Sequence, residues 1–242
     1  MGAGTSKPAY TPPMKEAVMN VVEILDQLES RYGKQKPCWP TDPYEFLIWW
    51  HCGYPPSDAA CGRGWESVKS RIGIEPQEIL AASKRELTSA LKAGGMVPEL
   101  RAVRLKNIAA VIRDEFAGDL RGSLIGSLKE VRKRLKRFPS IGDPGADRIL
   151  LFGGIEPIAA VPSNCPYVLV RIQRGREPEN YAMTYKQAQH AILREVEEKF
   201  VARIRAYLLL KKHGQDVCKR TKPHCDRCAI SSACAFFCRQ AP

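Results

Sequence analysis

The stretch CKRTKPHCDRCAISSAC, from Cys218 to Cys234, sets four cysteines at the spacing C-x6-C-x2-C-x5-C, with Lys219, Arg220 and Lys222 between the first two. Thiols this close together, in a chain whose N-terminus MGAGTSKPAYTPP has no secretory pattern, read as metal ligands before they read as a disulfide framework. Zinc is one occupant to consider. Zinc ribbons and knuckles present two separate short Cys-x-x-Cys arms, and here only Cys225 and Cys228 form one. A compact loop around a 4Fe-4S cluster suits the pattern better, with Cys218, Cys225, Cys228 and Cys234 as its ligands. Cys238 is ambiguous, a free thiol or an alternative ligand. Cys38, Cys52, Cys61 and Cys165 are scattered and read as buried small hydrophobes.

Outward from that loop, the charge is unevenly spread. Residues 126–150 carry a net charge of +4 and residues 203–239 a net charge of +7, so that together they hold nearly all of the chain's +12. Positive charge focused on two segments predicts a face for a polyanion. At 242 residues and 44% apolar composition the chain can bury a substantial core, in one domain or two small ones. No apolar run is long enough to span a bilayer. These features predict an intracellular protein, in cytoplasm or nucleoid (or a nucleus), with no membrane association.

In chain order, the pattern is helical almost throughout. Helices are expected over Lys15 to Arg31, with Val18, Val21, Val22, Leu25 and Leu28 on the apolar face, and over Tyr44 to His51. Further helical patterns run from Asp58 to Arg71, Pro76 to Ser83, Lys84 to Ala93 and Arg101 to Phe116. No alternating run bounded by hairpin turns marks a strand, so the fold class is all-α. Leu128, Val131, Leu135 and Phe138 recur at helical spacing, Pro139-Ser140-Ile141-Gly142 interrupts them, and a second helix runs from Asp143 to Phe152. Asp143 reads as the N-cap of that helix. Beyond it come helices over Asn164 to Arg174, from a Thr184 cap to Phe200, and over Val201 to Lys212 with Gly214 as the stop.

The cysteine spacing and the hairpin 76 residues before it together resemble the endonuclease III branch of the helix–hairpin–helix DNA glycosylases, over about Asp42 to Phe236. The resemblance implies a two-domain all-α fold: a six-helix barrel domain over 40–154, with the helix–hairpin–helix at about 127–152, and an iron–sulfur helical domain built from 14–36 and 155–242. Residues 1–13 would be a disordered tail. It also implies a monomer that binds double-stranded DNA, damaged or structured DNA included, in the groove between the domains. Contacts would come from Pro139, Ser140, Ile141, Gly142 and Gly145 of the hairpin, where backbone amides meet phosphate, and from Lys219, Arg220 and Lys222 of the cluster loop.

The same resemblance locates the chemistry, and there the chain departs. Members with lyase activity carry a Lys two residues past the hairpin's last glycine, as a Schiff-base nucleophile; that position is Pro144. The Asp that supports departure of the base maps to Pro162, within Ala160-Val161-Pro162-Ser163-Asn164. Proline can neither form a Schiff base nor act as a general base. Tyr54-Pro55-Pro56 stands where the family has a Gln near the flipped base. Two functions remain. One is an iron–sulfur DNA-binding protein related to base excision repair but without glycosylase or lyase chemistry. The other is a monofunctional DNA N-glycosylase for an unusual base, in which Asp58, Asp143, Asp147 or Glu156 would substitute, beside an aromatic cleft of Trp49, Trp50 and Tyr54.

Overall fold

A computed structural model describes residues 19–239; the first-helix expectation before residue 19 and the tail over 1–13 lie outside them. Among the described residues the chain is all-α, and its only β feature is an isolated bridge between Tyr54 and Gly95. Twelve α-helices follow in order: α1 (Val21–Tyr32), α2 (Pro43–His51), α3 (Asp58–Arg71), α4 (Pro76–Ala81), α5 (Lys84–Leu91), α6 (Pro98–Glu115), α7 (Leu128–Leu135), α8 (Asp143–Phe152), α9 (Tyr167–Arg174), α10 (Tyr181–Glu195), α11 (Phe200–Asp216) and α12 (Ala235–Cys238).

Local chemistry sets most of these limits. Asn20 and Glu23 form a reciprocal capping box on α1, as do Ser83 and Glu86 on α5 and Ser127 and Glu130 on α7. Asp42 accepts from the Tyr44 and Glu45 amides, and Pro43 opens α2 where no N–H is needed. On α1 the buried stripe is Val21, Ile24, Leu25 and Leu28, a strict i, i+3, i+4, i+7 set; Val22, expected on that face, is 42% exposed. The helix expected from Asn164 starts only at Tyr167, because Pro162 and Pro166 bracket a turn closed by the Cys165 amide on the Pro162 carbonyl (3.1 Å). Thr184 is not a cap. Asn180 is, and α10 ends at Glu195.

Buried apolar side chains form two clusters. The first runs from Trp39 through α2–α8 to Ala160 and takes in Tyr207 and Leu208 of α11. The second joins α1 to α9, α10, the remainder of α11 and the cysteine segment. Helix α11 therefore serves both.

Gly214, expected to stop α11, lies buried inside it. A Cβ there would sit 2.5 Å from Cys165 Cβ and 2.7 Å from Cys165 Sγ. The glycine is a close-approach residue where α11 meets the segment before α9. In an exposed helix interior Gly→Ala stabilises by up to about 1 kcal/mol. Here Gly214→Ala should instead destabilise by about 1–3 kcal/mol from overpacking, read as a lower urea midpoint with an unchanged m-value.

Candidate functional site

The α7–α8 hairpin is built as its sequence suggests, with local differences. Phe138 packs on Phe116 (ring centroids 5.9 Å apart), and Ile141 is buried between the helices, where it meets the small residue Gly145. Ser140 takes a left-handed φ of 59°, which turns the chain from α7 into the extended Gly142. Gly142, not Asp143, is the N-cap of α8, and no side chain caps it. Asp143 is the first helical residue and bonds Lys136 Nζ (2.8 Å) at the surface. Pro144 is therefore the second helical residue, still within the turn whose amides have no intrahelical acceptor. The imidazole of His51, buried at the end of α2, holds the hairpin from below, with Nε2 2.9 Å from the Pro139 carbonyl and Nδ1 2.7 Å from the Leu47 carbonyl. Burial lowers its pKa, and a neutral ring donates to only one of these two oxygens.

A cavity of about 150 Å³ opens beside the hairpin. Ser140, Gly142, Pro144 and Gly145 form one wall, Ser163 another, and Phe46 and Trp50 of α2 a third, with Arg148 at the base. The cavity thus brings together Pro144 and the residue next to Pro162. Pro162 itself is buried, and Asn164 is exposed.

None of the four candidate carboxylates lines this cavity. Asp147 is 1% exposed and fully engaged: Arg132 from α7 pairs with it (2.6 Å), while Tyr185 (2.9 Å) and Gln189 (3.1 Å) of α10 donate to its other oxygen. Burial raises its pKa against those partners. Asp58, at the start of α3, pairs with Lys211 of α11. Asp143 faces Lys136, and Glu156 is exposed on the loop after α8. Of the aromatic residues, Trp50 lines the cavity, Trp49 is buried behind it, and Tyr54 is 44% exposed elsewhere.

The charge map needs correction too. Arg148, Arg203 and Lys211, counted toward the two basic segments, are buried and contribute little to a surface field. Lys219, Arg220 and Lys222 are exposed.

Cys218, Cys225, Cys228 and Cys234 line a single cavity with apolar walls that include Ile172, Pro223 and Phe236. No three His, Cys, Asp or Glu side chains among the described residues converge closely enough to hold one metal ion, so the four thiols are spread around that cavity. Burial pushes the Cys218 thiol up to about 11 and raises Cys225 and Cys228. Cys238 is exposed, outside this ring, and bonds the Ser232 carbonyl. Cys52, Cys61 and Cys165 are buried as expected, but Cys38 is exposed.

Three residues that sequence reasoning missed organise these sites. Arg171 of α9 is 5% exposed and lies between Tyr167 (4.4 Å) and Phe236 (4.8 Å). It donates to the Lys219 and Arg220 carbonyls (3.1 and 2.9 Å) and pairs with Glu177, so it fixes the backbone of the basic loop and stands beside Cys218. Arg101, 2% exposed, donates to the carbonyls of Cys52, Leu91, Gly95 and Met96, which joins the loop after α2 to the start of α6. Arg148 is the third. Its guanidinium lies 3.9 Å from the Trp39 ring and 4.7 Å from Phe46, at 5% exposure.

The architecture is that of helix–hairpin–helix DNA glycosylases. The chain superposes on the structure titled a trapped endonuclease III–DNA covalent intermediate with a TM-score of 0.71 at 16% identity, covering 92% of this chain and 99% of that one. A thermostable thymine-DNA glycosylase gives 0.69 at 17% identity, over 90% and 97%. No protein-family model matches the chain. Endonuclease III of Rickettsia felis is 32% identical over 109 residues, which is 43% of this chain and 46% of that protein, so this match spans less than half of its relative. Endonuclease III of Rickettsia conorii is 27% identical over 166 residues, 67% of this chain and 70% of that protein. The chain is thus similar in sequence to endonuclease III proteins over part of its length and has the fold of the helix–hairpin–helix DNA glycosylases.

Because Asp147 is locked into a buried network, its removal should register as lost stability. Asp147→Asn is expected to destabilise by about 1–3 kcal/mol, since Arg132 then lacks its anionic partner, whereas Glu156→Gln at the surface should stay within about 0.5 kcal/mol. Urea unfolding of both variants checks the contrast.

Proposed function

We propose that this protein is an intracellular, monomeric iron–sulfur protein that binds double-stranded DNA, related to base excision repair and without glycosylase or lyase chemistry. The observation that carries this reading is the cavity beside the hairpin. Pro144 stands on its wall and Pro162 beside it, and its lining offers no carboxylate and no amine. A base excised there would need a general base or a group to stabilise a cationic sugar, and the only charged side chain at hand is a guanidinium. That cation would oppose an oxocarbenium centre. A monofunctional glycosylase would need Asp58, Asp143, Asp147 or Glu156 to reach the cavity. Two of these are held in ion pairs at other helices, Asp143 is paired with Lys136 at the surface, and Glu156 lies on the exposed loop after α8.

DNA binding is supported by the relatives' titles, which describe endonuclease III–DNA complexes, and by the hairpin's exposed start and the basic loop. Gly142 and Gly145 allow close approach of a phosphate to the start of α8. The loop's charges Lys219, Arg220 and Lys222 project from a backbone fixed by Arg171. We divide the molecule into a barrel domain over 40–154 and a cluster domain from 14–36 and 155–242; the two apolar clusters support this, with α11 bridging them.

For the metal, Cys218, Cys225, Cys228 and Cys234 fit a 4Fe-4S cluster. Four soft donors line one cavity with apolar walls, and their C-x6-C-x2-C-x5-C spacing has one short Cys-x-x-Cys arm where zinc ribbons present two. Burial raises the Cys218, Cys225 and Cys228 thiols above their ordinary range, a cost that a bound metal would offset. When bound, the cluster supplies cross-linking of the loop; the DNA contacts belong to the side chains around it.

Purified anaerobically, the protein should carry about four iron and four sulfide per chain, and Cys218→Ala should lower both metal content and duplex affinity. Duplex affinity should fall steeply with salt, and Lys219→Glu with Lys222→Glu should flatten the log–log slope by about 1 per lost phosphate contact. Binding that does not respond to salt, or a metal-free protein with full affinity, would contradict the proposal.

A further inference from the structure

Arg148 stands out as a buried cation without a counter-charge. It lies one helical turn beyond Pro144, on the same face of α8, and lines the same cavity. Its surroundings are aromatic: the guanidinium is 3.9 Å from the Trp39 ring, 4.7 Å from Phe46 and 5.7 Å from Trp50. No described residue accepts a hydrogen bond from it or pairs with it, and Nε and Nη2 are sealed from solvent without a partner. That leaves Nη1 as the donor open to the cavity. Among the described residues the other buried Arg and Lys side chains each have at least one acceptor: Arg101 meets four carbonyls, Arg171 meets Glu177 and two carbonyls, Lys211 meets Asp58, and Arg203 donates Nε to the Glu197 carbonyl although its Nη1 is unpartnered. Cation–π contacts replace some of the water the guanidinium has lost, but they give its N–H groups no hydrogen-bond acceptor. A ligand would bring one in.

We propose that Arg148 makes this cavity a reader of carbonyl-edged nucleobases, binding an unpaired base that presents an oxygen and rejecting its amino counterpart. This rests on the proposed binding of DNA. The ligand class follows from the walls. Phe46 and Trp50 suit a flat ring, and about 150 Å³ suits something smaller than a drug-sized ligand, whose pockets start near 300 Å³. A guanidinium only donates, so an exocyclic amine would set N–H against N–H. A phosphate group is the poorer occupant of the cavity itself, because a tetrahedral anion leaves the flat faces of Phe46 and Trp50 unused. A base leaves the stack for such a pocket at a cost that is lowest when it is already unpaired.

The experiment uses the full chain and duplexes carrying one base opposite a tetrahydrofuran abasic analogue, in isosteric pairs: uracil against cytosine, and hypoxanthine against adenine. Fluorescence anisotropy should give about tenfold tighter binding to the carbonyl member of each pair, in line with the discrimination of a well-placed Arg–base contact. Arg148→Met should bring both ratios to within twofold of unity, each ratio being taken within the one variant so that a change in its overall duplex affinity cancels. Arg148→Lys, which keeps charge but loses the planar fork, should lose most of the preference and serves if the methionine variant does not fold. Equal binding of the isosteres by wild-type protein that still binds paired duplex would overturn the inference and leave DNA binding intact, as would an undiminished preference in either variant. No binding to any duplex would overturn both.

Discussion

Arg148 lies on Trp39 at 3.9 Å, and that contact draws together three parts of the chain: helix α8, the linker ahead of α2, and α11 through Tyr207. Trp39 meets Phe152 edge-on at 5.1 Å, Phe152 meets Tyr207 at 5.1 Å, and Lys211 approaches Trp39 from another side at 4.9 Å. Where α11 enters the first apolar cluster, an aromatic box thus holds two cations. One is neutralised by Asp58 from α3. The other is not. Because α8 starts at the hairpin and α11 runs into the cysteine loop, the box fixes how the proposed DNA-contacting segments stand relative to each other.

The same box bears on the proposed difference between this cavity and the chemistry that the endonuclease III resemblance implies. By resemblance, a nucleophilic Lys belongs at the second position of α8, and here that position is a proline. A cation is present one turn later. It is a guanidinium, which stays protonated, forms no Schiff base and recognises acceptors by geometry. Pro162 closes the other route by removing the carboxylate, and the turn it begins presents Ser163 to the cavity instead. On the proposed reading, both positions suit recognition better than bond-breaking.

How much of this was legible in the sequence depended on range. The cysteine spacing and the α7–α8 hairpin span a few dozen residues each, and α8 runs from Asp143 to Phe152 as its apolar pattern indicated. Helix ends set by capping boxes, such as Ser83 and Ser127, are local as well. Gly214 misled because a glycine that ends a helix and one that admits a neighbouring chain look alike until Cys165 is placed against it. Arg148, Arg203 and Lys211 were counted as surface charge, and Arg171 passed unremarked, for the same reason. Arg148 meets Trp39 more than a hundred residues upstream, and Arg171 meets the carbonyl oxygens of Lys219 and Arg220 nearly fifty downstream. Nothing in their flanking sequence marks them as buried.

The most direct measurement is a single-turnover excision assay with the iron-loaded protein in excess, at concentrations that saturate duplex binding, on oligonucleotides carrying oxidised, alkylated and deaminated bases. A scaffold with proline at both positions where the resemblance places the reactive side chains should leave every strand intact after alkali treatment and give no covalent product with borohydride. An alkali-labile site formed stoichiometrically at any one lesion by the wild-type protein would contradict that, and would show that a carboxylate or a positioned water reaches the cavity after all.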